Sequence, residues 1–179
     1  MKPKPMILAA ALAAFAVPGR AAQFSLGGNY QLTSQNPGGT NPSSNLSLTL
    51  TPSVIAADVH ELGLSLGWSL SRQEVSLTGQ TQETNTTNAG VFYRYNLYLN
   101  GKDAKHPVAL YAGPQMGMTR VGTPQGSTND FSAGGQFGEN FMFSEKLALN
   151  VHLIQWDTVF SDPDMQLILT QSIGVKYFF

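Results

Sequence analysis

From Met165 to the last residue, Phe179, every second side chain but one is apolar: Met165, Leu167, Leu169, Gln171, Ile173, Val175, Tyr177 and Phe179. The residues between them are mostly polar or small, among them Gln166, Thr170, Ser172, Gly174 and Lys176. A period of two marks a β-strand with two unlike faces. The run is too long for an ordinary edge strand, which soluble sheets keep short.

The same alternation recurs along the chain. Apolar positions of one parity run over 24–32, 46–56, 62–70, 89–99, 108–118, 131–141 and 147–153 before the final run. Eight segments result, each near the roughly 9–11 residues that a tilted membrane-crossing strand needs. Their connections alternate in length. Asp58-Val-His-Glu61, Asn100-Gly-Lys-Asp103 and Ser144-Glu-Lys146 are tight, the second carrying an Asn-Gly hairpin signal. Asn36–Ser44, Gln73–Asn88, Arg120–Asp130 and Asp157–Asp164 are longer polar loops. Outer-membrane barrels have short periplasmic turns and longer extracellular loops. A soluble sandwich or lipocalin-like barrel gives no reason for this alternation.

The opposite face separates the two solvents. It reads Ser47, Thr49, Thr51, Ser53, then Gly63, Ser65, Gly67, Ser69, then Gly134, Gln136, Gly138, Asn140. Such residues are too poor in apolar atoms to fill a dry core, so the apolar face is the one that meets lipid.

The N-terminus fits a secreted chain. Lys2 and Lys4 precede the apolar stretch Met6–Val17, and Gly19, Ala21 and Ala22 follow. The stretch is too short to span a bilayer, and the pattern is that of a cleaved signal peptide over 1–21, leaving one domain over 22–179. Without Lys2, Lys4 and Arg20, seven basic residues face eleven acidic ones, a net charge of about −4. That charge argues against a nucleic-acid partner, which needs a basic patch. The chain has no cysteine, hence no disulfide or thiolate chemistry. Charged residues make up 12%, about half the usual share for a soluble domain, yet no mature segment is long and apolar enough for a membrane helix. A closed barrel is the architecture that lets such a chain meet lipid.

On the closing run Ile173-Gly-Val-Lys-Tyr-Phe-Phe179, the eight segments and the loop alternation, the chain resembles the OmpA/OmpX-like eight-stranded outer-membrane β-barrels. The last third, through Gly135-Gln-Phe-Gly-Glu139 and Leu147-Ala-Leu-Asn-Val-His-Leu153, is similar to small outer-membrane barrels of myxobacteria. The resemblance implies an all-β, eight-stranded antiparallel transmembrane up-and-down barrel in the bacterial outer membrane. It makes Tyr177 and Phe179 the assembly signal. It implies outer-membrane lipid, periplasmic chaperones and the barrel-assembly machinery as partners, and a structural or surface-loop role without a wide pore. A narrow conduit and a lipid A-modifying enzyme are the alternative functions.

No residue pattern calls for catalysis, a metal or a cofactor. Gly63-Leu-Ser-Leu-Gly67 matches a G-x-S-x-G elbow, but that motif needs a strand-to-helix turn and this one lies mid-strand. His60 and His106 fall in turns, and His152 has inward parity. Barrel deacylases of lipid A carry a His-x-Ser pair, where this chain reads His152-Leu-Ile-Gln155. Asp162-Pro-Asp164 suits a turn. Arg94, Lys176, His152 and Gln136 have inward parity and are expected to form a polar plug in the lumen. Buried cations need a carboxylate, and Glu139 is the one candidate. Its own parity is that of the lipid face, so a β-bulge near it is expected to turn it inward. Gln155 and Asp157 share the lipid-face parity of Leu153 and are expected at the outer rim.

Overall fold

A computed structural model describes residues 22–35, 43–75, 80–160 and 165–179. The proposed signal peptide, the first loop's residues 36–42, and the Asp162-Pro-Asp164 turn lie outside the described residues. Eight antiparallel strands form a closed barrel with each strand beside its neighbour in sequence. They are β1 (Gln23–Gln35), β2 (Ser43–Ala56), β3 (His60–Val75), β4 (Gln80–Tyr98), β5 (Val108–Thr123), β6 (Gly126–Ser144), β7 (Leu147–Phe160) and β8 (Met165–Phe178).

The alternation has the expected sense. Leu48, Leu50, Leu66, Trp68, Val91, Leu97, Met116 and Met118 point outward and are exposed. A continuous apolar wall of this extent belongs in hydrocarbon rather than in water. Aromatic residues flank it at two levels. Phe24, Tyr95, Phe143, Tyr177 and Phe179 lie toward the end where β1 begins and β8 ends, and Tyr30, Trp68, Phe131, Trp156 and Phe160 toward the other. Aromatic girdles at both interfaces are a property of outer-membrane barrels.

Three connections close the first end. Ala57 and Asp58 both take positive φ, 49° and 65°, at the centre of the turn 57–59 that joins β2 to β3, where the Val59 N–H donates to the Ala56 carbonyl (3.3 Å). Residues 99–107 join β4 to β5, with Gly101 at φ 83°. There Asn100 donates from Nδ2 to the His106 carbonyl (2.9 Å) and accepts from the Val108 N–H (2.9 Å). Glu145 and Lys146 join β6 to β7.

At the other end, two segments expected as loops are strand. β3 and β4 stay paired from Arg72 opposite Glu83 to Val75 opposite Gln80. β5 and β6 stay paired out to Thr123 opposite Gly126. β4 and β5 also pair out to Asn85 opposite Gly122, so only the tips beyond that rung are two-stranded. Both segments are rich in Thr, Asn, Gln and Ser, which hid their strand character. An exposed Arg72–Glu83 ion pair (2.8 Å) lies on the first.

An irregularity does lie on β6 near its end, where Phe143 is the extra residue between Met142 and Ser144, but it does not turn Glu139 inward; a second one lies on β7. Gly138 faces His152 while Phe137 faces Ile154, so Leu153 is the extra residue, and β8 shows the same step between His152 and Gln155. A bulge inserts one residue and reverses the parity beyond it. Ile154, Trp156 and Phe160 therefore face out, and Gln155 and Asp157 face the lumen rather than the rim. Glu139 keeps the outer face, opposite Leu110 and Val151, close to the turn end.

Candidate functional site: the barrel lumen

The lumen divides into a packed half near the turns and an open half near the hairpins. The packed half centres on Glu61, the second residue of β3. The tight turn at Ala57-Asp58 starts β3 early, and Leu62 points outward, so Glu61 must point in. It is opposite Ile55 on β2 and Arg94 on β4. Its side chain is 0% exposed. Glu61 Oε1 accepts from Lys176 Nζ (2.7 Å) and from Ser53 Oγ (2.7 Å), with Arg94 Nη1 at 3.6 Å. Ser53 Oγ also meets Ser25 Oγ at 2.6 Å. Glu61, not Glu139, is thus the carboxylate that balances the two inward cations.

The four residues expected in the plug come together around this centre. Lys176 is 1% and Arg94 2% exposed. The guanidinium of Arg94 donates from Nε to Gln136 Oε1 (2.9 Å) and lies over the rings of Phe92 (4.2 Å) and Tyr111 (4.6 Å). Arg suits such a position because its planar cation stacks on aromatic faces. Lys176 Nζ lies 5.4 Å over the Phe178 ring. His152 meets the Tyr111 ring edge-on at 5.6 Å. The Tyr111 hydroxyl donates across β6 to the Val151 carbonyl on β7 (3.2 Å). Gly138 permits this reach, since a Cβ there would collide with both that hydroxyl and that carbonyl.

Below the cations, an amide chain crosses the lumen: Asn150 donates to Asn140 (2.7 Å), Asn140 to Asn96 (3.4 Å), and Asn96 to the Val59 carbonyl (3.3 Å). Ile55, Ala148 and Phe178, with Met142 against them, close the turn end with a small apolar cluster. The lumen is therefore filled across its section at this level.

Above the plug lies a chamber of about 340 Å³. Its walls are hydroxyls and amides such as Thr49, Ser65, Asn88, Ser132 and Thr170, and its floor includes Phe92, Arg94, Gln136 and His152. Asp157, turned inward by the bulge, accepts from Gln115 (2.7 Å) and Gln155 (3.0 Å).

Among the described residues, the contacts of this lumen are ion pairs, hydrogen bonds and ring contacts. His152 Nδ1 has no hydrogen-bond partner among the described residues, whereas a general base is held toward its nucleophile by such bonds. Ser65 lies in mid-strand opposite Gly90, with no elbow around it. His60, at the start of β3, is exposed and bonds from Nδ1 to the Tyr93 hydroxyl (2.7 Å). Tyr177 and Phe179 are on the outer wall with their rings edge-to-face at 5.0 Å, and the Phe179 N–H donates to the Phe24 carbonyl (2.9 Å).

An outward apolar wall, aromatic girdles and a polar lumen within closed antiparallel strands are the features of outer-membrane barrels. A major outer-membrane protein of Thermus thermophilus superposes with a TM-score of 0.54 at 14% identity, covering 89% of this chain and 100% of its own. The chain is an outer-membrane-type β-barrel. OprG of Pseudomonas aeruginosa gives 0.54 at 14% identity over 89% of this chain and 97% of its own. Neisserial surface protein A gives 0.51 at 10% identity over 88% and 96%. At such identities the likeness is one of fold. No protein-family model matches the sequence, and no curated protein matches it.

Proposed function

We propose that this outer-membrane-type barrel is a non-porous integral membrane scaffold whose polar hairpin ribbons meet the cell exterior. The observation that carries this reading is the filled section at Glu61, Arg94, Lys176 and Tyr111, which leaves no water column through the turn end. The ribbons at Arg72–Glu83 and Arg120–Ser127 supply the surface side, being polar, exposed and rigidified by strand pairing. In this reading the turn end is periplasmic. Tyr177 and Phe179 serve as the signal read by the assembly machinery, after periplasmic chaperones deliver the chain to outer-membrane lipid. Support comes from their exposed position at the end of the closing strand.

The absence of native cysteine makes the orientation measurable with single labels. Gln125→Cys, at the tip between β5 and β6, should react with a membrane-impermeant maleimide on intact cells. Lys102→Cys, in the turn between β4 and β5, should react only after the outer membrane is permeabilised. Equal labelling of both on intact cells, or protection of Gln125→Cys, would remove the surface role.

A further inference from the structure

Bulges beside binding sites re-aim side chains. The bulge on β7 turns Gln155 and Asp157 into the lumen and leaves Ile154 and Trp156 on the outer wall. Asp157 lies opposite Gly134 on β6, and Gly134 lies opposite Gln115 on β5. With no side chain at Gly134 to intervene, Gln115 reaches across β6 and donates to Asp157 Oδ1 (2.7 Å). Gln155 donates to Oδ2 of the same carboxylate (3.0 Å). Both amides turn their N–H2 groups to Asp157, so each holds its oxygen for another donor.

Gln155 is paired with Gln136, which is part of the chamber floor and 1% exposed. Gln136 Oε1 accepts from Arg94 Nε, which fixes the amide's orientation, and its Nε2 has no partner among the described residues. His152 Nδ1, on the same floor, has none either. Buried polar atoms are nearly always paired, and two on one cavity floor suit a polar occupant. The remaining walls carry hydroxyls and amides such as Thr49, Ser65 and Asn88, with an apolar patch at Ile168 and Val159. The charged groups already have partners: Asp157 has the two glutamines, and Arg94 has Gln136 and, at 3.6 Å, Glu61. A volume of about 340 Å³ falls in the range of small-molecule sites, but most of those are apolar. Neutral donors and acceptors around the whole chamber match a compound with a hydroxyl on most of its carbons. The C–H faces of such a compound match the apolar patch.

We propose that the chamber is a dead-end binding site for a small neutral polyhydroxyl compound of monosaccharide size, held by the Gln115–Asp157–Gln155 cluster that the β7 bulge turns inward. The ligand's hydroxyls donate to the two glutamine oxygens and to Asp157, and accept from Gln136 at the floor. Its C–H face packs on Ile168 and Val159. Entry is from the hairpin end, because the plug fills the section below. That direction of entry rests on the filled lumen of the proposed function, whereas the binding chemistry stands apart from it.

Side-chain amide resonances of the folded protein test this directly. The barrel is placed in phosphatidylcholine nanodiscs, free of sugar-headed detergent, and only heat-modifiable, folded protein is measured. D-glucose and myo-inositol are the probes, with acetate as an anion and methylammonium as a cation. The N–H2 signals of Gln115, Gln136 and Gln155 should shift saturably with at least one of the two polyols and with neither ion. Asp157→Asn should weaken that binding about tenfold, as expected for loss of a hydrogen bond to a charged group. Ser65→Phe, which fills the chamber from the opposite wall, should abolish binding, whereas Leu66→Phe on the outer face should leave it unchanged. No saturable shift with either polyol would overturn the proposal. So would equal shifts with acetate or methylammonium, or binding that survives Ser65→Phe. Where Ser65→Phe yields no folded protein, unchanged affinity in Asp157→Asn would overturn it alone. Polyol binding intact beside steady conductance along the axis would instead count against the filled lumen alone.

Discussion

Glu61 holds the lumen's charges together. It is one carboxylate shared by Lys176 and, more distantly, Arg94, with all three side chains nearly out of reach of solvent. Breaking a buried ion pair from one side strands the other charge and costs about 3–5 kcal/mol, while replacing the pair by neutral groups of similar volume is often close to neutral. Glu61→Gln should accordingly lower stability to urea by about that amount. The double variant Glu61→Gln/Lys176→Met should recover much of the loss, because Arg94 keeps Gln136 and its two rings. Urea titrations followed on detergent gels check this; a double variant worse than the single would mean that the pair is not coupled. The sequence held the clue to Glu61 in its spacing. Leu62 opens an outward run, so its neighbour points in, but an acidic residue so soon after Asp58 reads equally well as part of a polar turn. The positive φ at both Ala57 and Asp58 ends the turn early, and neither residue is the glycine or asparagine that announces such a turn.

At the scale of single strands, the outward and inward faces make opposite demands. Leu66 is 46% exposed on the outer wall, while its neighbour Ser65 lines the chamber. Leu66→Arg should destabilise the barrel by about 2–4 kcal/mol, the range for Arg at the bilayer midplane, and by more than Ser65→Asn, which retains a polar lumen group. The reverse order in urea unfolding would mean that the faces are inverted. β7 makes a sharper case. Leu153 is the inserted residue, so deleting it leaves His152 and Gln155 inward and Ile154 and Trp156 outward in a regular ladder. The deletion should fold to the heat-modifiable form at nearly wild-type yield. Deletion of Leu66 from the regular middle of β3 throws Trp68 and Leu70 into the lumen or Ser65 and Gly63 into lipid, and should abolish that form. Equal yields from the two deletions would argue against the bulge. Alternation alone could not locate it: beyond the insertion Gln155 and Asp157 read as rim residues, and Glu139 pointed to the other irregularity, at Phe143 on β6. Glu139 instead stays outward near the turn end, where polar groups on the wall cost little.

For the molecule as a whole, eight strands, their order and the outward sense of the apolar face were legible, because each follows from a period of two repeated between polar connections. Polar ribbons were not, since Gln80–Glu83 and the Thr123–Gly126 rung extend past the exposed apolar residues of the wall and need no apolar face to be strands. Of the lumen, Arg94, Lys176, His152 and Gln136 were readable from parity, while their carboxylate was not. An eight-strand barrel has an interior just wide enough for side chains, and here those side chains span it with an ion pair, a stacked guanidinium and a chain of amides. Single-channel recording of the purified protein in planar bilayers is the direct measurement of that closure. Protein that inserts in its heat-modifiable form should give no steady conductance along the axis, and Arg94→Ala should raise the frequency of brief small openings. Large, stable steps of the size given by sixteen-stranded porins would contradict a filled lumen.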